Sequence, residues 1–554
     1  MATIDTTSSA STAVSTPASS VTLFARASER RVVIGIIVLV LLMTTALFVF
    51  ANVSAPADRQ FMGIALNAAD HVQYFSWMRD LSSAPLASVR LTPEPNAPAY
   101  FNLLWWALGN FGRLTGLDYA ASFSLLRFVA AAFVLACAYG FVRLTVVDTA
   151  QRRIAFFLAA FGGGLGVVWV VVKYLTGRSN SASLFPFDLF TVEHNTFLQT
   201  LAFPHFALAL GLVIATFGLV LIALRQRKLR YAVAAGLVAL ILGLQHAYDL
   251  VTVYAVLGLF GALTWVRDRK FPTFLFACGV IVVALSIPPA AYAFLLVSAD
   301  PVWRAVFSQF DLAGAFTPDP LHLPILLGVP FVLALAAFRP RMLRSRTDVE
   351  LFVGAWFVSH FVLIYLPVDF QIHLLLGWQI PIAILAAGAL VTRVGPWLAR
   401  ATRLHANAVT AAVLALCVVT NAYLYAWRFV ELGRHEEPYY LRADEVAALT
   451  WLERNVTQAD VVLADLRFGQ YVPTWTDARA FLAHWTGTLD YNGKRELATK
   501  VLSSETAEAD RRAILSRYGV TYVVVDARAH PDTAFDASYA AAFAQGAVTV
   551  YRAP

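Results

Sequence analysis

A bilayer interior offers no water to satisfy backbone groups, so a chain that crosses it must do so as helices or as a closed barrel. This sequence repeatedly presents apolar runs of roughly 18 or more residues, the length a crossing helix needs. The first is Val32–Phe50, preceded by Arg26, Arg30 and Arg31. A cleavable signal peptide has an apolar core of about 7–15 residues, so this ~19-residue run reads as a retained anchor. The small residues of Ser54–Ala57 keep cleavage as a minor alternative. Further spans are expected near 120–142, 153–172, 204–224, 231–247, 250–266, 272–297, 321–338, 350–366, 375–392 and 405–427. Composition agrees: 14% of residues are charged, where a soluble chain carries about a quarter. The fold class is a polytopic α-helical membrane protein of about eleven transmembrane helices.

The net charge of +7 raises a nucleic-acid reading, but the location of the cations excludes it. They sit in short loops between spans, where they record orientation. Arg143, Arg152 and Arg153 form one such loop, and Arg225, Arg227, Lys228 and Arg230 another. Arg267, Arg269 and Lys270 follow, then Arg339, Arg341, Arg344 and Arg346, then Arg393, Arg400 and Arg403. Alternation is never broken, which puts the N-terminus inside and the C-terminal ~125 residues outside the cytoplasmic membrane. Cys137, Cys278 and Cys417 lie within apolar runs, so neither a disulfide framework nor a thiolate metal site is expected.

Three regions result. Residues 1–31 form a cytoplasmic N-terminus, with 1–21 read as disordered from their Ser, Thr and Ala content. Residues 32–427 form the transmembrane region, whose first outward loop covers 51–119. In that loop, Tyr100–Arg113 is too short to span and reads as an interfacial helix. Residues 428–554 read as a soluble extracytoplasmic α/β domain. Its helices are expected at 441–456 and 507–518, and its strands at 461–466, 522–526 and 548–552.

The polar clusters fall on one side. Immediately beyond the anchor comes Asn67-Ala-Ala-Asp70-His71-Val-Gln73-Tyr74. As a helix it puts Asp70, Tyr74, Trp77 and Leu81 on one face. Asn67-x-x-Asp70 also reads as a helix cap with an acid in the first turn, and the two readings are compatible. His246-Ala-Tyr248-Asp249 makes a tight turn between two spans; ionisable residues there are costly unless paired or functional. Glu193 precedes Pro204-His205, where proline suits a first helical turn and leaves His205 at an N-terminus that favours an anion. Glu94 lies among prolines that alone account for a stiff segment, and His373 opens another outward helix. Arg79 and Arg127 are the cations nearest the first loop; an intramembrane Arg127 needs an anionic partner.

These residues resemble a known family. The inward-to-outward anchor, followed by a large loop that opens with Asp70, Tyr74 and Met78 in D-x-x-x-Y-x-x-x-M form, resembles the GT-C class of membrane glycosyltransferases. Within that class the chain is most similar to polyprenyl-phosphate sugar transferases such as protein mannosyltransferases and aminoarabinose transferases. Thr92–Gly109, Phe203–Leu210, Gln245–Asp249 and Gly469–Tyr491 resemble bacterial members. The resemblance implies Asp70 as catalytic base of an inverting transfer, with a polyprenyl-phosphate sugar as donor and a glycan, lipid or protein as acceptor. His71, Tyr74, Arg79, Glu94, Arg127, Glu193, His205, His246, Tyr248, Asp249 and His373 are the candidate substrate-binding residues. Family members often have a second acid after the first and an Arg three residues on; here those positions hold His71 and Gln73. No cofactor is therefore expected, and a divalent metal, though left open, has no support from the motif. The aromatic-aspartate motif of N-oligosaccharyltransferases is not apparent, so en bloc transfer to asparagine is not expected. The alternatives are a transporter or lipid flippase, and a non-catalytic scaffold whose outward domain binds a partner.

Overall fold

The structure, a computed structural model, describes residues 27–178, 186–308, 316–531 and 535–554. The expected disorder of 1–21 lies outside those residues. The first helix, α1 (Ala27–Val53), already takes in the last residues of the 1–31 segment. Two short helices follow, α2 (Ala68–Ser83) and α3 (Leu103–Thr115), and then α4 (Tyr119–Thr145). Next come α5 (Thr149–Phe161), α6 (Gly166–Leu175), α7 (Thr196–Ala202) and α8 (Pro204–Gln226). α9 (Leu229–Gln245), α10 (Asp249–Asp268), α11 (Thr273–Ala299) and α12 (Pro301–Ser308) continue the chain. The helical part closes with α13 (Leu323–Ala337), α14 (Asp348–Leu363), α15 (Gln379–Ala389), α16 (Gly395–Thr402) and α17 (Ala406–Leu432).

Eight helical stretches among the described residues are long and apolar enough to cross a membrane, or nine with α5 and α6 counted as one span. The remaining expected spans correspond to shorter helices, α9 with 17 residues and α14 with 16. The span expected at 153–172 is not straight: α5 and α6 meet at 62°. The break falls at Gly162–Leu165, and neighbouring helices take up its freed backbone groups. Gly163 N–H donates to Cys417 O at 2.9 Å, Leu165 N–H to Ile325 O at 2.7 Å, and Asn421 Nδ2 to Phe161 O at 2.9 Å. Such a break is tolerated where protein replaces lipid as the surroundings.

The basic loops link to one another at one end of the bundle. Arg152 pairs with Glu29 at 2.6 Å, Arg267 with Asp348 at 2.8 Å, and Arg393 reaches Ala336 O at 3.4 Å.

At the other end α2 and α3 pack face to face. A Cβ on Gly109 would lie 2.1 Å from Met78 O, so only glycine lets the two backbones approach this closely. Gly109→Val is expected to cost about 1–3 kcal/mol through overpacking, seen as a lowered thermal midpoint in detergent; an unchanged midpoint would mean that the contact is looser than described.

Beyond α17, β1 (Arg59–Phe61) from the first loop pairs antiparallel with β2 (Tyr440–Arg442). After α18 (Ala443–Asn455) comes a five-stranded sheet made of β3 (Val461–Leu463), β4 (Arg479–Ala480), β5 (Tyr522–Asp526), β6 (Ala541–Gln545) and β7 (Val548–Arg552). The strand order is β4-β3-β5-β7-β6, with β4, β3 and β5 parallel. The helices at 443–455 and 508–517 and three of the strands fall where expected, whereas β4, β6 and the helix Tyr491–Leu502 had no sequence signal strong enough to read.

The C-terminal part is bound tightly to the first loop. Ala480 N–H donates to Arg90 O at 2.9 Å, Thr474 Oγ1 to Val72 O at 2.9 Å and Thr488 Oγ1 to Leu91 O at 2.6 Å. A buried ion pair, Arg90 Nε to Asp80 Oδ1 at 2.7 Å, anchors the loop from below.

Candidate functional site

Asp70 sits in the first turn of α2, as the spacing predicted, but Asn67 does not cap it. Asn67 takes a left-handed backbone, φ 48°, and its side chain makes no bond to the helix N–H groups. Left-handed backbone is one that Asn adopts more readily than most residues. The Asn67 amide instead donates through Nδ2 to Asp70 Oδ2 at 2.5 Å. The second carboxylate oxygen meets a residue that the sequence reading missed: His484 Nε2 lies 2.8 Å from Asp70 Oδ1. His484 comes from the turn Ala483-His-Trp-Thr-Gly-Thr488, between β4 and the helix at 491–502. Its Nδ1 accepts from Thr486 N–H at 3.0 Å and Gly487 N–H at 3.3 Å. With Nδ1 an acceptor, the ring hydrogen is on Nε2 and points at Asp70.

From Asp70 a continuous row of rings leads across the bundle end. Tyr74, one turn on, stacks on Trp105 of α3 at 4.8 Å and meets His205 edge-on at 4.6 Å. His205, at the start of α8, lies 5.5 Å from His246. Tyr248 lies 4.7 Å from His246 on one side and stacks on His373 at 4.8 Å on the other. Two histidine–carboxylate hydrogen bonds close the row, His246 Nδ1 to Asp249 Oδ2 at 2.9 Å and His373 Nδ1 to Glu193 Oε1 at 2.7 Å. Burial is the largest influence on Glu193 and would raise its pKa, but the hydrogen bond and charge of His373, with a backbone hydrogen bond and His194, together hold the carboxyl below its usual value.

His205 differs from His246 and His373, each of which is bonded to a carboxylate. It is 2% exposed, and its Nδ1 is buried with no hydrogen-bond partner among the described residues. A buried polar atom left without a partner costs free energy, and native structures seldom leave one unexplained. Of the expected site residues, Asp70, Tyr74, Glu193, His205, His246, Tyr248, Asp249 and His373 are brought together.

The other four lie in contacts of their own. His71 is buried and its ring nitrogens lie 2.9 Å from Asn67 O and 2.8 Å from Ala202 O, so it joins α2 to α7; burial outweighs those carbonyls and lowers its pKa. Arg79 is held by Asp477 at 3.0 Å and Glu453 at 3.3 Å, both in the C-terminal part. Glu94 is held by Lys494 at 2.5 Å. Arg127 turns toward α1, its guanidinium 4.1 Å from the Phe48 ring centroid, with Nε and Nη1 buried and without a hydrogen-bond partner, so the expected anionic partner is not found among the described residues. Three of these residues thus position the first loop, two of them against the C-terminal part. Among the described residues no three His, Cys, Asp or Glu side chains gather as a metal site.

No protein-family model and no curated protein sequence matches the chain. Its architecture does match solved structures. One is the archaeal oligosaccharyltransferase AglB from Archaeoglobus fulgidus, solved with an inhibitory peptide and a dolichol-phosphate. It is 12% identical, with a TM-score of 0.56 over 90% of this chain and 70% of that one. Another is ArnT from Cupriavidus metallidurans bound to undecaprenyl phosphate, 14% identical, with a TM-score of 0.50 over 93% of this chain and 98% of that one. A mutant of the mycobacterial arabinofuranosyltransferase AftD is 14% identical, with a TM-score of 0.52 over 95% of this chain and 41% of that one. The chain is a multi-pass membrane protein with the fold of the GT-C glycosyltransferases.

Proposed function

We propose that the protein transfers one sugar from a polyprenyl-phosphate donor to a hydroxyl of an acceptor outside the cytoplasmic membrane, the acceptor being a glycan, a lipid or a protein. The observation that carries this reading is a carboxylate with both oxygens hydrogen-bonded, Asp70, one turn before a ring that touches an unpartnered buried imidazole, His205. Each Asp70 oxygen keeps a second lone pair, so the group can still accept an acceptor proton. In the step itself the acceptor oxygen attacks the anomeric carbon and its proton passes to Asp70. The bond from that carbon to the phosphate oxygen breaks, the electron pair leaves with the polyprenyl phosphate, and the anomeric configuration inverts. His205, whose Nδ1 is buried without a partner, offers an N–H donor to the departing phosphate, because Arg79 is held by Asp477 and Glu453 and Arg127 turns toward Phe48 of α1. That the two solved GT-C relatives bind dolichol-phosphate and undecaprenyl phosphate supports a donor of this class. A transporter would draw on the broken α5–α6 pair, but three hydrogen bonds to two neighbouring helices, α13 and α17, pin that break.

The test is binding of undecaprenyl phosphate to the purified protein, with His205→Leu as the variant. The native protein is expected to bind it, and the variant about tenfold or more weakly, a loss in the range of a charge-assisted hydrogen bond. The thermal midpoint of the variant should be unchanged or higher, since an unpaired buried polar atom has been removed. Equal affinity in the two proteins would remove His205 from the donor site.

A further inference from the structure

The turn that carries His484 lies some 400 residues from Asp70 in sequence, and nothing in α2 requires it. Both sides of the turn are nevertheless fixed to the first loop. Ahead of it, Ala480 N–H is bonded to Arg90 O, and behind it Leu489 N–H to Thr92 Oγ1 at 3.1 Å. At its centre, Gly487 packs so closely on Leu91 that a Cβ would stand 2.6 Å from Leu91 Cδ1. The ring of His484 is 2% exposed, and Trp485 covers it at 5.0 Å between centroids. Two backbone N–H groups fix the tautomer, so the ring can present only a donor to Asp70. A histidine that merely filled space would need no such fixing.

We infer that His484 is a positioning residue: its Nε2–H holds the Asp70 carboxylate in the orientation needed to take the acceptor proton, so the C-terminal part completes the transferase site. Asn67 alone leaves the carboxyl free to turn about its last bond, because Asn67 is itself exposed and bonded to a single oxygen. With His484 in place both oxygens are tied, one from α2's own start and one from across the interface. Misplacement of a reacting group by about 1 Å can cost on the order of 100-fold in rate, and that is the scale of effect at issue.

The inference rests on the Asp70 reading, and the experiment separates the two. Full-length protein in proteoliposomes is supplied with a panel of undecaprenyl-phosphate hexoses and pentoses, together with a cell-envelope extract as the source of acceptor hydroxyls, and release of undecaprenyl phosphate is followed. His484→Leu is expected to lower kcat by about 10–100-fold while donor KM and undecaprenyl phosphate affinity stay within about threefold. His484→Gln returns an N–H donor near the position of Nε2 and is expected to recover most of the rate. Native kcat in His484→Leu, or equal losses in the Leu and Gln variants, would overturn the inference. If the Leu variant does not fold, His484→Met supplies the donor-less comparison. Turnover retained in Asp70→Asn would instead overturn the proposed reaction itself, whatever the His484 variants do.

Discussion

Asp70→Asn is expected to abolish sugar transfer, with a loss of at least about 10²–10⁴-fold, the range that general-base help supplies. The change removes the acceptor for the proton and almost nothing else. Its oxygen still accepts from His484 Nε2–H. Its new amide would oppose the Asn67 amide, but Asn67 is exposed and can rotate to offer its own oxygen. Both native contacts therefore survive in altered form, and the helix start is undisturbed. The thermal midpoint and the affinity for undecaprenyl phosphate should match the native protein, while release of undecaprenyl phosphate from the donor stops. A well-folded Asn variant that turns over at the native rate would show that the base lies elsewhere. Loss of lipid binding along with activity would mean that Asp70 shapes the donor site and that its role is not proton transfer.

Much of this site is legible in the sequence because a membrane simplifies the problem. Once the basic loops orient the spans, Asp70, His205, His246, Asp249, Glu193 and His373 fall near helix ends on one side, and the folded chain does bring them together. Positions along a span are set by length, so ends can be found without knowing which helices are neighbours. Side-chain partners cannot be found that way. Arg79 and Glu94 had the charge a phosphate or sugar site requires, and no local pattern reveals that Asp477 and Lys494 claim them. His484 is the converse case. Its sequence surroundings, one imidazole followed by Trp485, Thr486 and Gly487, carry no metal or nucleophile spacing, and its meaning appears only when the C-terminal part lies on the first loop. Asn67 suits a cap by residue type and offset, but its left-handed backbone redirects the amide to Asp70.

The interface that joins these distant pieces makes a second large effect predictable. Arg90 and Asp80 are almost wholly buried, at 6% and 3% side-chain exposure, and Asp80 also accepts from Ser88 N–H at 3.2 Å. Arg90 Nη1 reaches on to Asp477 O at 2.6 Å, so the pair bears on the C-terminal docking as well as on the loop. Asp80→Leu is expected to destabilise the protein by about 3–5 kcal/mol, because it leaves a buried guanidinium that cannot lose its charge with only the more distant, half-exposed Asp477 carboxylate at 3.6 Å. Arg90→Met should cost less. Burial already drives the Asp80 pKa upward against the pull of Arg90, so the lone carboxyl can take up a proton and become neutral. Asp80→Leu with Arg90→Met together should recover much of the loss, since neither charge then remains. Thermal midpoints of the three variants in detergent, with limited proteolysis of residues 428–554, measure this ordering. If Asp80→Leu and Arg90→Met prove equally damaging, the pair acts through shape, and the charge argument fails. If the order holds, the Asp80→Leu variant should also lose transferase activity beyond what its folded fraction explains, because loosened docking withdraws His484 from Asp70.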